Sequence, residues 1–310
     1  MNKNVFENTT DINGELSRIL DECRPCIGEG RVASYIPELA KSDPEKLGVY
    51  IITENEAYFA GDHDATFTMQ SIVKPLILLL ALEDSGVEKV RSLVGVEATG
   101  KPFDTFNYTD LALRNEHINP MINAGAIALC TLIKGETFKD KTARLLEFTR
   151  RLAKNDTLEV DEAVYASEKA TGNKNRALAY MLNAYKMIEE DVEDLLECYF
   201  SACSIKVDCK DLANIAFELS HTNRDGMVCG RDARFVNAIL STSGMYDGSG
   251  EFALKVGVPA KSGVGGGIMA VVPHRMGIGV YSPALDGKGN SVAGRRVLEI
   301  LSEKLRLSIF

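Results

Sequence analysis

The chain has 310 residues, 45% of them hydrophobic and 25% charged, with 35 basic against 44 acidic side chains and a net charge of -9. These values fit a folded globular protein and exclude collagen-like, disordered and disulfide-stapled classes. An acidic surface with no local basic stripe also repels phosphate backbones, so nucleic acid is not an expected partner. At roughly 100–200 residues per domain, the length fits about two domains, or one large core enclosing a deep cleft.

The first twenty residues mix Asn, Asp, Glu and Thr with isolated apolar side chains and lack the continuous apolar stretch of a secretory signal. The longest apolar run, residues 75–82, falls far short of the roughly 18 residues of a membrane span. A cytoplasmic protein with no membrane partner is expected. The seven cysteines, Cys23, Cys26, Cys130, Cys198, Cys203, Cys209 and Cys229, are odd in number and scattered, which fits free thiols in a reducing compartment. Cys23 and Cys26 form a C-x-x-C without a second pair, and are read as helix-end cysteines rather than zinc ligands. Residues 48–53 and 57–60, separated by Glu54, Asn55 and Glu56, predict a hairpin.

From about residue 71 to 219 the pattern turns helical. Val192, Leu195, Leu196, Tyr199 and Cys203 share one helix face, and the acidic run 189–194 reads as a solvated helix N-terminus. Strand character returns at 255–261, 268–272 and 277–281, before a turn at 286–290 and a closing helix from Ser291. Strands at both ends with helices between them predict an α+β fold, with a mainly antiparallel sheet built from N- and C-terminal segments. Residues 1–70 and 220–310 would form a discontinuous sheet lobe, residues 71–219 a mainly helical lobe, and the active site would lie in the cleft between them.

The sharpest chemical feature is Ser71-Ile72-Val73-Lys74. Residues three apart share a helix face, so the hydroxyl and the amine would be neighbours one turn apart. A serine needs a base to become a nucleophile, and a lysine serves only when neutral. Burial supplies that condition: moving a lysine pKa from about 10.4 to about 7 costs roughly 4–5 kcal/mol, which a folded scaffold sustains. Pro75 cannot donate to the Ser71 carbonyl, so the first turn should be irregular. A second feature, Lys261-Ser262-Gly263 followed by Gly265, Gly266 and Gly267, matches the K-S/T-G strand of penicillin-recognising enzymes, whose backbone amides help build an oxyanion hole. Taken alone, it fits a flexible Gly-rich strand connection better.

Other chemistries lack their residues. Gly95 to Lys101 has the G-x-x-x-x-G-K spacing, but Pro102 stands where a magnesium-binding hydroxyl is needed. No serine or cysteine sits in a nucleophile elbow. His63, His117, His221 and His274 form no ligand cluster, so no metal is expected.

From about Gly30 to Leu301 the chain resembles the serine-dependent glutaminases of the short bacterial type. The resemblance rests on seven blocks in order: residues 32–37, 70–75 and 119–127, Ser167-Glu168, residues 198–205, residues 244–250 and the Lys261 segment. It implies a β-lactamase-like fold and hydrolysis of L-glutamine to L-glutamate and ammonia, with no metal or organic cofactor. By the same match Ser71 is the nucleophile, Lys74 its general base and Lys261 a further catalytic residue. The amides of Ser71 and Val264 form the oxyanion hole. Tyr246 or Tyr199 protonates the leaving ammonia. Glu168 faces the substrate ammonium, Asn123 and Asn175 bind the amino-acid head group, and Tyr35, Gln70, Tyr199 and Tyr246 line the pocket. A homo-oligomer, dimer or tetramer, is expected. The motifs do not cover residues 1–29, and the chain carries neither the long N-terminal extension nor the ankyrin repeats of animal forms.

Read by themselves, these residues have plainer alternatives. Tyr199 lies on an apolar helix stripe and fits a core position. Asn123 could cap the helix from Ala124. Glu168 and Asn175 are seven apart, but Gly172 and Asn173 interrupt the helix between them. Two rival functions share parts of the pattern: a β-lactamase or related serine acyl hydrolase, and a non-catalytic amino-acid-binding protein.

Overall fold

The computed structural model describes residues 11–98, 118–223 and 226–310. His117 and residues 99–102 of the G-x-x-x-x-G-K stretch lie outside the described residues.

Seven strands are described: β1 (Gly48–Thr53), β2 (Ala57–Gly61), β3 (Phe67–Thr68), β4 (Lys206–Val207), β5 (Ala260–Ser262), β6 (Gly267–Val272) and β7 (Met276–Tyr281). Five of them form one sheet in the order β2-β1-β7-β6-β5, with every neighbouring pair antiparallel. β1 from the N-terminal part thus lies beside β7 from the C-terminal part, Gly48 opposite Tyr281 and Thr53 opposite Met276. β3 and β4 form a separate two-stranded ribbon.

Alternation along the strands sorts side chains between two faces. Val49, Ile51, Ile268, Ala270, Ile278 and Val280 pack with Leu16, Ile19 and Leu20 of helix Ile12–Cys23 and with Val297, Leu298 and Leu301 of helix Val292–Leu305. Tyr50, Met269, Val271 and Tyr281 face the larger, helical core. On that second face helix Cys209–Ser220 lies directly on the sheet because β7 carries glycine at 277 and 279. A Cβ at Gly277 would collide with the Ala213 carbonyl, and one at Gly279 with the Cys209 carbonyl. The sequence boundary at 219/220 assigns this helix to the helical block, yet it packs across β1, β6 and β7.

The middle of the chain is helical, as its periodicity predicts. Helix Lys74–Leu93 is buried all round from Lys74 to Leu82, and each such fully buried Leu or Ile contributes roughly 1.5–3 kcal/mol of transfer free energy. Helices Asn123–Cys130, Phe138–Ala153 and Gly230–Ser243 pack against it, and helices Asn173–Ala184 and Val192–Cys203 join the same core through Asn123–Cys130. Their ends follow local chemistry. Thr137 and Asp140 form a capping box, and Asp191 accepts from the N–H groups of Glu193 and Asp194 at the start of the acidic helix.

One expectation fails. Residues 255–261 do not form a strand: helix Ser249–Lys255 occupies their start, Gly257 turns at φ +71, and pairing begins only at Ala260. Apolar alternation broken by Gly257 and Pro259 could not hold a ladder, since proline donates no N–H.

Candidate active site

Ser71 sits where the ribbon strand β3 meets helix Lys74–Leu93. Residues Gln70–Val73 form a turn of 3-10 helix, and the Lys74 N–H donates to the Ser71 carbonyl in place of the bond Pro75 cannot make. Gln70 enters this turn at φ +48, a left-handed conformation that costs about 1–3 kcal/mol outside glycine. The turn is pressed against the glycine-rich connection between β5 and β6. A Cβ at Gly263 would come within 2.5 Å of the Met69 carbonyl, and one at Gly265 within 2.6 Å of the Thr68 carbonyl. These glycines admit the protein's own backbone, which holds the 263–265 segment beside Ser71.

Lys74 is fully buried, and its Nζ donates to Asn123 Oδ1 at 2.6 Å and to the Met121 carbonyl at 3.2 Å. Asn123 in turn donates through Nδ2 to Asn175 Oδ1 at 2.8 Å. Asn123 therefore does not cap its helix, a position taken by Ile122; its side chain joins the lysine to the 173–184 helix.

Lys261 is equally buried, donating to the carbonyls of Ser262 at 2.7 Å and Gly244 at 3.1 Å. Its Nζ lies over the Tyr246 ring, 4.2 Å from the centroid. Burial, and secondarily the charge of Lys74, pull its pKa well below the ordinary lysine value. Tyr246 adopts φ +52. Burial raises the pKa of its hydroxyl, and the influence of Ser71 partly offsets this.

Beside Ser71 opens a cavity of about 430 Å³, lined by Tyr35, Gln70, Ser71, Asn123, Glu168, Asn175 and Tyr199 among others. Tyr35 is 59% exposed and stands at the rim, whereas Tyr199 is 2% exposed and belongs at once to the cavity wall and to the helical core. The pocket and core readings of Tyr199 both hold. Glu168 is buried, with Gln70 Nε2 3.4 Å from its Oε2. Burial pushes its carboxyl up to about 8, against the lowering effects of Gln70, Lys74 and Cys203. Glu168 and Asn175 reach the same cavity from two helices that meet at Gly172. A Cβ at this glycine would press on the Phe200 ring at 2.6 Å.

Val264, Lys74, Lys261 and Tyr246 stand behind Ser71 rather than on the cavity wall, and Val264 packs with Tyr246, Ile36 and Leu285. The wall also includes residues the sequence reading did not single out: Ile36, Cys203 and the stretch from Thr171 to Lys174. Cys203 had a usable signal, being four residues after Tyr199 on the same helix face.

The arrangement offers a hydroxyl between a buried amine and a buried phenol, next to a single partly neutralised carboxyl and two amides. Such a pocket suits a small molecule with both an ammonium and an acyl group. Comparison with known proteins fits this chemistry. The family model described as Glutaminase matches residues 30–310. The chain belongs to the glutaminase family. It is 50% identical to a glutaminase of Clostridium tetani over 96% of this chain and all of that protein, and 50% identical to one of Clostridioides difficile over 95% and 97%. Among solved structures it is similar to a probable glutaminase from Bacillus subtilis complexed with 6-diazo-5-oxo-L-norleucine, with TM-score 0.88 and 35% identity over 97% and 98% of the two chains. Family membership makes this chain a hydrolase of the glutamine amide, and its α+β architecture matches that of the family's structures. Among the described residues, no helix is long and apolar enough to cross a membrane.

Proposed function

We propose that the chain hydrolyses L-glutamine to L-glutamate and ammonia through a glutamyl ester on Ser71. The observation that carries this reading is Ser71 on the wall of the cavity that holds Glu168, one turn from the fully buried Lys74. Lys74, acting as the general base, takes the Ser71 proton as Oγ bonds to the amide carbon. The amide oxygen becomes an oxyanion facing the N–H groups of Ser71 and Val264, donors each typically worth about 3–4 kcal/mol. Collapse breaks the C–N bond, and a proton passes to the departing ammonia. A water then attacks the ester, gives up a proton to the same groups and releases Ser71.

Of the two tyrosines, Tyr246 is the better placed donor, because its ring lies against the Lys261 amine, while Tyr199 is built into the helical core. Lys261 holds the Tyr246 ring and biases its hydroxyl electrostatically. Glu168 receives the α-ammonium, and Asn123 and Asn175 the α-carboxylate end, so that both charges of a free amino acid are matched as they leave water. A reducing, cytoplasmic setting belongs to the same reading, supported by seven cysteines that are all free thiols. A homo-oligomer also belongs to it.

Incubation with 6-diazo-5-oxo-L-norleucine followed by peptide mass spectrometry tests the assignment. The label is expected on Ser71 with loss of ammonia release, and a label elsewhere would refute it. Assays with asparagine and a chromogenic cephalosporin separate the rival readings: β-lactam opening without ammonia release from glutamine would favour a β-lactamase-like enzyme.

A further inference from the structure

The two buried amines of the site are held by two separate stretches of chain. Lys74 Nζ donates to the Met121 carbonyl and to Asn123 Oδ1, both on the segment that leads into helix Asn123–Cys130. Lys261 Nζ donates to the Gly244 carbonyl, just beyond helix Gly230–Ser243. The same carbonyl accepts from the Ser262 N–H at 3.2 Å, and a Cβ at Gly244 would collide with the Ala260 carbonyl, so this second stretch is pressed onto β5.

One side chain touches both stretches. Asn119 is 1% exposed, and its Oδ1 accepts from the Met121 N–H at 2.8 Å. Its carbonyl accepts from the Ile122 N–H at 3.2 Å, closing a turn over residues 119–122 with asparagine first and Pro120 second, the residues such a turn favours. Asn119 thus grips the residue whose carbonyl receives Lys74 and fixes the backbone beneath the Asn123 side chain. Its amide end points the other way. Nδ2 donates to the Glu97 carbonyl at 2.9 Å, to Ser243 Oγ at 3.1 Å and to the Val96 carbonyl at 3.3 Å. An oxygen facing an N–H and a nitrogen facing carbonyls fix which end of the amide is which. Ser243 immediately precedes Gly244 and lies 124 residues from Asn119 in sequence, so one side chain ties the acceptors of Lys74 to the acceptor of Lys261.

We propose that Asn119 is a positioning residue for the hydrolysis, registering the stretch that holds Lys74 against the stretch that holds Lys261 so that the two buried amines keep a fixed separation. The inference rests on the glutamine-hydrolysing reading above. A buried asparagine that satisfies a turn stabilises the fold in any setting. This one also carries register, because Met121 and Ser243 bear or adjoin the groups on which the amines rest. Freed of it, either stretch can shift, and a misplacement of about 1 Å costs on the order of 10²-fold in rate.

The test compares Asn119→Ala, Ser243→Ala and Ser243→Thr with wild type in ammonia-release kinetics. kcat for L-glutamine is expected to fall about 10²-fold in Asn119→Ala. In Ser243→Ala, which loses one hydrogen bond, it should fall about fivefold with KM within about twofold of wild type. Ser243→Thr keeps the hydroxyl and should return kcat to within about twofold. A folded Asn119→Ala that keeps kcat within about threefold of wild type, or a threonine variant as impaired as the alanine one, would overturn the proposal.

Should Asn119→Ala not fold, the NMR signals of isotope-labelled lysine ε-carbons read the tie without turnover, assigned from Lys74→Met and Lys261→Met. Ser243→Ala is expected to move the signal of Lys261 and, through Asn119, that of Lys74. A Lys74 signal that stays in place refutes the tie. Wild-type protein that releases no ammonia from L-glutamine would instead sink the functional reading and with it the role in hydrolysis, while the NMR result still decides whether the two stretches are joined.

Discussion

Lys74 and Lys261 are both withdrawn completely from solvent, yet they are held in different ways. Lys74 is tied to a side chain, Asn123, which continues to Asn175 and the cavity wall. Lys261 is tied to two backbone carbonyls and an aromatic face. The helical side of the site is therefore adjustable, a relay of side chains that substrate can rearrange. The sheet side is fixed, because backbone oxygens on β5 and at Gly244 move only with the fold. On the mechanism proposed here, two identical residues in one site divide into a group that exchanges protons and a group that shapes the field around them.

The largest effect should come from the adjustable side. Ser71→Ala and Lys74→Ala are each expected to lower kcat by on the order of 10⁴-fold or more, with the double variant no worse than either single one, as ammonia-release kinetics would show. Additive losses would mean that the two do not act as a unit. On the fixed side, Lys261→Met keeps most of the buried volume and removes the amine next to Tyr246. A loss of about 10²-fold in kcat at nearly unchanged KM is expected, and a change confined to KM would place Lys261 with the binding groups instead.

The pH response reports on the cavity itself. Burial raises the Glu168 pKa from its ordinary 4.5 to about 8, so the protonated carboxyl's contribution to stability is complete below pH 4.5 and is lost as pH rises through about 8. Glu168→Gln should accordingly raise Tm at pH 9 and leave it unchanged near pH 4, by scanning calorimetry. Substrate selects the ionised form, so KM for L-glutamine should fall about tenfold between pH 6.5 and 8 in wild type but not in the glutamine variant.

The smallest effect tests the contact between the two sides. Gly263→Ala forces a Cβ against the Met69 carbonyl and should cost roughly 1–3 kcal/mol in chemical denaturation, with a severalfold drop in kcat.

Much of this was legible beforehand for physical reasons. Ser71 and Lys74 stand at a helical spacing before a wholly apolar run, and Pro75 foretold an irregular first turn, which the structure makes 3-10. The hairpin of β1 and β2 and the strands β6 and β7 follow from local alternation and turns. What stayed hidden depends on distant packing. Nothing near Gly277 and Gly279 announces that helix Cys209–Ser220 will lie on them, and Asn123 reads locally as a cap until Lys74 and Asn175 arrive beside it. Tyr199 kept two readings open because one side chain serves the core and the cavity together.

The pairing of β1 with β7 sets a timetable for synthesis. The hairpin of residues 48–61 emerges early from the ribosome but waits for residues 276–281 to acquire its second neighbour, and such non-local pairing is slow to form. Lys261 and Tyr246 reach Ser71 on the same late schedule. A nascent chain accordingly carries an exposed strand edge and a serine without its sheet-side neighbours, so the chemistry proposed for Ser71 should begin only once the sheet has closed.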